Sequence, residues 1–199
     1  KRISVNPNWN GEDLLIALSN TERKQPSSQT DSIARGWIKI WGSSELTGKS
    51  LLNQSLTSPR GSFFLLEGSG SWRDYTYQLQ MDKASSRGTV VMYARYQDLE
   101  NNVACSFNDK GLKIEQYLNG KKRVMAEKDT FFEMPKENLQ LGVMVNKDKV
   151  ECLVNGNSAI YSYYLSPELL NGGIGFKTWD PQTDNSELTI KSVSVEEIR

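Results

Sequence analysis

The stretch from Tyr75 to Val154 constrains the fold most, because its apolar residues recur at every second position and turn residues interrupt them at short intervals. Tyr75, Tyr77, Leu79 and Met81 alternate with Thr76, Gln78 and Gln80. Val90, Met92 and Ala94 alternate with Tyr93, Arg95 and Gln97 in the next run. Val103 to Asn108 and Leu112 to Leu118 follow, and Asn119-Gly120 then supplies the two positive-φ residues that a type I′ hairpin turn demands. Arg123 to Ala126 makes the return. Leu139, Leu141, Val143 and Val145 form one face of a further run, which Asn146-Lys147-Asp148 turns into Val150, Cys152 and Val154, and Asn155-Gly156 ends it. Residues two apart lie on one face of a strand, so each run is a strand with one side for a core. Trp37 to Trp41, Ser62 to Glu67, Gly173 to Trp179 and Glu187 to Val195 add strands, with Trp37 and Trp41 expected on one face as a seal over the core or its edge. Pro167 to Leu170 makes a turn at most. Many short alternating strands between turn signals predict an all-β sandwich or barrel.

Residues 1–32 read differently. A short strand at Arg2 to Val5, a turn at Asn6-Pro7-Asn8 and a helix from Gly11 to Leu18 precede a polar, linker-like run from Ser19 to Thr30. The expected organisation is an N-terminal arm or linker over 1–32 and a sandwich over 33–199. The arm is either the tail of a preceding domain or a segment packed on its own sandwich, with Trp9 as a staple. The chain opens at Lys1 without methionine or a signal-like segment, and is read as a piece of something longer.

Composition removes several classes of function. The 199 residues carry 24 basic and 24 acidic side chains, without the basic excess expected of a nucleic-acid binder. No apolar run reaches the roughly 20 residues of a membrane span. Histidine is absent, which argues against His-activated nucleophiles and His-ligated zinc. Cys105 and Cys152 each fall on the apolar face of a predicted strand. Buried free thiols are the favoured reading, and a bridge between sheets is the alternative, which only geometry decides.

The order of motifs resembles the concanavalin A-like jelly-roll superfamily, and within it the laminin G-like and levan-binding-like modules attached to bacterial carbohydrate-active enzymes. Trp72-Arg73-Asp74-Tyr75, Val91 to Arg95, Asn101 to Val103, Leu153 to Gly156 and Gly172 to Gly175 carry the likeness, which covers about residues 36–199. Val103 stands where an aromatic residue is common, and Asn155 where aspartate is. Arg2-Ile3-Ser4-Val5 followed by a helix resembles the closing segment of polysaccharide deacetylase domains. These resemblances imply an antiparallel jelly-roll sandwich acting as a secreted or cell-surface, non-catalytic carbohydrate-binding module. Its partner would be a polysaccharide, and a covalently linked upstream enzyme of the deacetylase type would be tethered to it.

Sugars offer C–H faces that stack on aromatic rings, and hydroxyls that pair with planar donors and acceptors. Tyr93, Arg95, Gln97, Lys177 and Trp179 meet that description and are the expected contacts, with Ser106 and Asn108 on a polar strand face of their own. The bland reading is a solvated face on which Arg95 pairs with an acid and Trp179 packs under a loop. The rival function is a structural or adhesion domain whose polar face packs on a partner. A glycoside hydrolase comes third, since it needs two carboxylates at a set separation. Glu127, Asp129 and Glu133 come nearest to a glucanase motif, but one residue too many separates the last two, and the segment reads as a loop. Asp180, Asp184 and Asn185, with Glu187, could ligate a structural calcium, although an exposed acidic loop explains them as well. Asn53-Gln54-Ser55 matches a glycosylation acceptor.

Overall fold

The computed structural model describes residues 29–31, 37–42, 44–47, 50–54, 61–84, 88–129, 138–179 and 187–198. The expected strand, helix and staple of the arm, the calcium ligands Asp180, Asp184 and Asn185, the glutamate Glu133 and the serine of the glycosylation motif lie outside them. Two antiparallel sheets form a jelly-roll β-sandwich, as the alternation predicts. The strands in chain order are β1 (Gln29–Asp31), β2 (Trp37–Trp41), β3 (Ser44–Thr47), β4 (Ser50–Gln54) and β5 (Ser62–Leu66). Then come β6 (Tyr75–Ala84), β7 (Thr89–Tyr96), β8 (Asn102–Asn108), β9 (Gly111–Leu118) and β10 (Lys121–Asp129). The last five are β11 (Gln140–Asn146), β12 (Lys149–Val154), β13 (Asn157–Ser162), β14 (Gly173–Trp179) and β15 (Glu187–Glu197). Among the described residues one 3-10 turn, Pro167–Leu169, interrupts them.

The first sheet has the order β13-β12-β11-β6-β15-β4-β3, with β1 also on β15. The second runs β10-β9-β8-β7-β14-β5-β2. Gln29–Asp31, expected in the linker, therefore adds a strand to β15. The core lies between the sheets. Tyr75, Tyr77, Leu79, Met81, Leu141, Val143 and Val145 face Val90, Met92, Val103, Phe107, Ile114 and Phe176. The predicted hairpins form where the sequence asks for them, with Asn119 and Gly120, and again Asn155 and Gly156, at positive φ.

Three local expectations are corrected. Cys105 of β8 and Cys152 of β12 are joined by a disulfide across the core, not free. Each is a core-facing residue of one sheet, and the sandwich brings their Cα atoms to 5.7 Å, within the range a bridge needs. Trp37 and Trp41 fall on opposite faces, because the pairing of β2 with β5 shifts between Lys39 and Trp41. Trp37 packs on Phe176 in the main core, whereas Trp41 packs at a tilt against Phe63 in a second, smaller hydrophobic cluster. Glu127, Lys128 and Asp129 extend β10 instead of forming a loop.

Candidate functional site on the outer face of the seven-stranded sheet

Tyr93, Arg95 and Gln97 do not share a face. Arg95 takes a left-handed φ of 51°, and the pairing of β7 with β14 shifts between Gly173 and Gly175. That break turns the Arg95 side chain inward, where it is fully buried. Its Nη2 donates to Asp74, which precedes β6 in the opposite sheet, at 3.0 Å. Asp74 also accepts the Lys147 backbone N–H at 2.6 Å. The Arg95 backbone N–H donates to the Tyr75 hydroxyl at 2.9 Å, and the Tyr77 hydroxyl donates to the Gly175 carbonyl. Gly172 has to be glycine: a Cβ there would sit 2.2 Å from the Arg95 carbonyl carbon. Asp74, Tyr75, Arg95 and Gly172 to Gly175, all residues of the family-like motifs, thus form one knot tying the sheets together. Burial pushes the Tyr75 phenol up to about 12, while the Arg95 backbone N–H and charge pull the other way. Desolvation lowers the Arg95 guanidinium from its ordinary value, against the pull of Tyr75 and Asp74. Gln97 is engaged elsewhere: its Nε2 donates to the Glu168 and Asn171 carbonyls at 2.8 and 3.2 Å, holding the 3-10 turn.

Tyr93 and Lys177 remain on the outer face of the sheet. Tyr93 lies between Ala104 of β8 and Gly175 of β14, and Lys177 follows one row along, beside Val91. Small residues flank Tyr93 on both sides, so its ring stands clear of them.

Two clusters surround it. On the β14 side the ring packs on a second, smaller hydrophobic cluster, with buried Phe63 at 5.1 Å and buried Tyr96 at 5.7 Å, and half-buried Trp41 at 4.8 Å from Phe63. Ile38 and Leu65 are its other buried members. On the β9 side lies a polar group. Glu115, largely buried, forms an ion pair with Lys122 and accepts from the Ser106 hydroxyl at 3.5 Å. Lys122 also lies 6.0 Å from the centre of the Tyr117 ring. Lys113 pairs with Glu127 one row away. Burial, with Tyr117 and Glu115 nearby, pushes the Tyr93 phenol well above its ordinary value, so it stays a hydrogen-bond donor. The hydrogen bond to Glu115 raises Lys122, which stays charged. The half-buried Tyr93 ring thus adjoins a carboxylate, a hydroxyl and two ammonium groups.

The chain matches no family model, and no curated protein matches it in sequence. Solved structures do match its fold. The carbohydrate-binding module CBM66 from Bacillus subtilis superposes with a TM-score of 0.63 at 22% identity, over 81% of this chain and 96% of that one. A prokaryotic β-1,3-1,4-glucanase (lichenase) from a mouse hindgut metagenome gives 0.64 at 14%, over 86% and 100%. A Bacillus subtilis protein of unknown function with a galectin-like fold gives 0.63 at 11%, over 88% and 98%. The fold is that of the concanavalin A-like jelly rolls. At these identities the likeness is one of fold.

Of the expected contacts, Tyr93 and Lys177 lie on this face, and the structure sets beside them Glu115, Lys122, Tyr117 and Trp41, which were not among the expected contacts. Glu115 and Tyr117 alternate with the core residues Leu112 and Ile114, so their outward face was readable. Their nearness to Tyr93 depends on β8 lying between β7 and β9, which no residue announces. Trp179 ends β14. Among the described residues no group of three or more His, Cys, Asp or Glu is placed to hold a metal ion.

Proposed function

We propose that this protein is a non-catalytic carbohydrate-binding module that uses the outer face of the seven-stranded sheet. The observation that carries the reading is the half-buried Tyr93 ring set between an aromatic cluster and the Ser106–Glu115–Lys122 group. Tyr93 and Trp41, the half-buried rings of this group, offer stacking edges for sugar C–H faces, and the Ser106 hydroxyl, Glu115 carboxylate and Lys122 ammonium offer donors and acceptors to hydroxyls. The neighbouring ion pair and sheet hold these groups in place before a ligand arrives, which lowers the cost of binding. The likeness to a carbohydrate-binding module supports the same reading at the level of fold.

Glucanases share the fold, so catalysis is the competing reading. Binding is preferred because Glu115 and Glu127 on this face are each paired with a lysine. A disulfide made from the sequence's two cysteines suits an oxidising, extracellular setting. There the module would hold a longer carbohydrate-active protein to a polysaccharide. Affinity electrophoresis through gels containing fructan, β-glucan, xylan or mannan tests the reading. Retardation by at least one polymer is expected, and it should weaken about tenfold in Glu115→Ala, the cost of about 1.4 kcal/mol. Free migration through all four gels, or release of reducing sugar from any of them, would overturn it.

A further inference from the structure

The opposite side of the sandwich, the outer face of the eight-stranded sheet, carries a second aromatic and polar surface. Tyr161 at 59%, Tyr163 at 46% and Tyr164 at 77% are the most exposed rings among the described residues and fall within four positions. Tyr161 is the penultimate residue of the edge strand β13 and pairs with Glu151 of β12. The Tyr161 and Tyr163 rings meet edge to face at 5.7 Å, and the Lys149 ammonium sits 5.6 Å from the centre of each. Lys149 in turn forms an ion pair with Glu151. The two charges cancel, and together they hold both rings in fixed positions.

Across the sheet from this corner the Tyr161 row passes Met144 of β11 and Thr76 of β6 to the exposed Glu196 of β15, and uncharged polar side chains lie beside it. Gln78 of β6 and Gln140 of β11 face outward and their amides bond at 3.2 Å. Ser192 and Ser194 of β15 stand opposite Gln80 and Gln78 in the same pleat. Three strand spacings, about 14 Å, separate Tyr161 from Gln78. Tyrosine rings beside neutral amides and hydroxyls match a sugar chain, since they provide stacking and planar hydrogen bonding.

We propose that the outer face of the eight-stranded sheet, anchored at Tyr161 and Tyr163, is a second glycan-binding face that takes an extended, uncharged polysaccharide. It is separate from the Tyr93 face, so the module is bivalent and can link two polysaccharide chains.

The test is calorimetric titration of the whole chain with neutral soluble fructan, β-glucan, xylan and mannan. Wild type, a Tyr161→Ala/Tyr163→Ala variant and Tyr93→Ala are compared, with circular dichroism melts as folding controls. Both mutated corner rings are exposed, so the double variant should melt with wild type. The expected result is about tenfold weaker binding of at least one neutral polymer in the double variant, with residual binding in Tyr93→Ala. Unchanged affinity in the double variant overturns the second face and leaves the Tyr93 reading standing. Loss in the double variant with full binding in Tyr93→Ala supports the second face and removes the first. No binding of any neutral polymer by wild type overturns the second face. So does sedimentation showing that Tyr161 and Tyr163 instead hold two copies of the chain together.

Discussion

Arg95 is the largest fully buried side chain among the described residues, and a buried cation is stable only where its partners meet it. Asp74 supplies that partner while also capping the Lys147 backbone N–H. Asp74→Ala strips both groups at once. The expected cost is about 3 kcal/mol of folding stability, read as a lower urea midpoint with glycan affinity per folded molecule unchanged. An unchanged midpoint with lost affinity would instead make this pair part of a ligand site. The alternation of β7 was legible as far as Tyr93. Beyond it, one left-handed residue turned Arg95 inward, and period-two reasoning cannot register a single change of φ. The signal that was available is Gly172, which leaves room for the Arg95 backbone.

At the scale of elements, turn chemistry was the most readable part of the chain. Asn119-Gly120 and Asn155-Gly156 both specify their hairpins through positive φ. Strand β13 was not readable, because its inward side offers the core little beyond Ile160 and its other residues face solvent or the edge. The cysteines show a different limit. Each was correctly placed on a core face, but their pairing depends on β8 stacking over β12, a matter of sheet order. The closed loop has a sequence separation of 47, so the chain-entropy model gives the bridge about 4 kcal/mol of stabilisation. A Cys105→Ala/Cys152→Ala variant should lose stability of that order in urea, and reduced wild-type protein should match it. Coincident unfolding curves for oxidised and reduced protein would contradict the bridge.

The whole sandwich depends on neutral tyrosines. Tyr75 is raised to about 12, and burial raises Tyr77, Tyr93 and Tyr96 further. Below about pH 10 the phenols are neutral whether the chain is folded or unfolded, and their contribution to stability is fully present. Between about pH 10 and 12 the unfolded phenols ionise while the folded ones stay protonated, so stability falls as pH rises. Tyr75 alone accounts for about 3 kcal/mol over those two units, by the conversion of 1.36 kcal/mol per unit. Melting followed across that range should show a steep decline, with the tyrosinate absorbance of the four buried phenols appearing only together with unfolding. Ionisation of all eight tyrosines in folded protein would show the buried phenols to be accessible.

The two faces of the molecule follow from the same pleat that builds its core, since every strand that buries one side chain presents the next. What that presentation means for ligands depends on strand order, which brings Tyr93, Glu115 and Lys122 together from β7, β9 and β10. Fluorescence titration of wild type and Tyr93→Phe against Tyr93→Ala, with a polysaccharide that retards the protein, tests the central claim most directly. A sugar bound at this face should quench or enhance the tryptophan signal, with near-native affinity in Tyr93→Phe and about tenfold weaker binding in Tyr93→Ala. Equal affinity in all three proteins would contradict it.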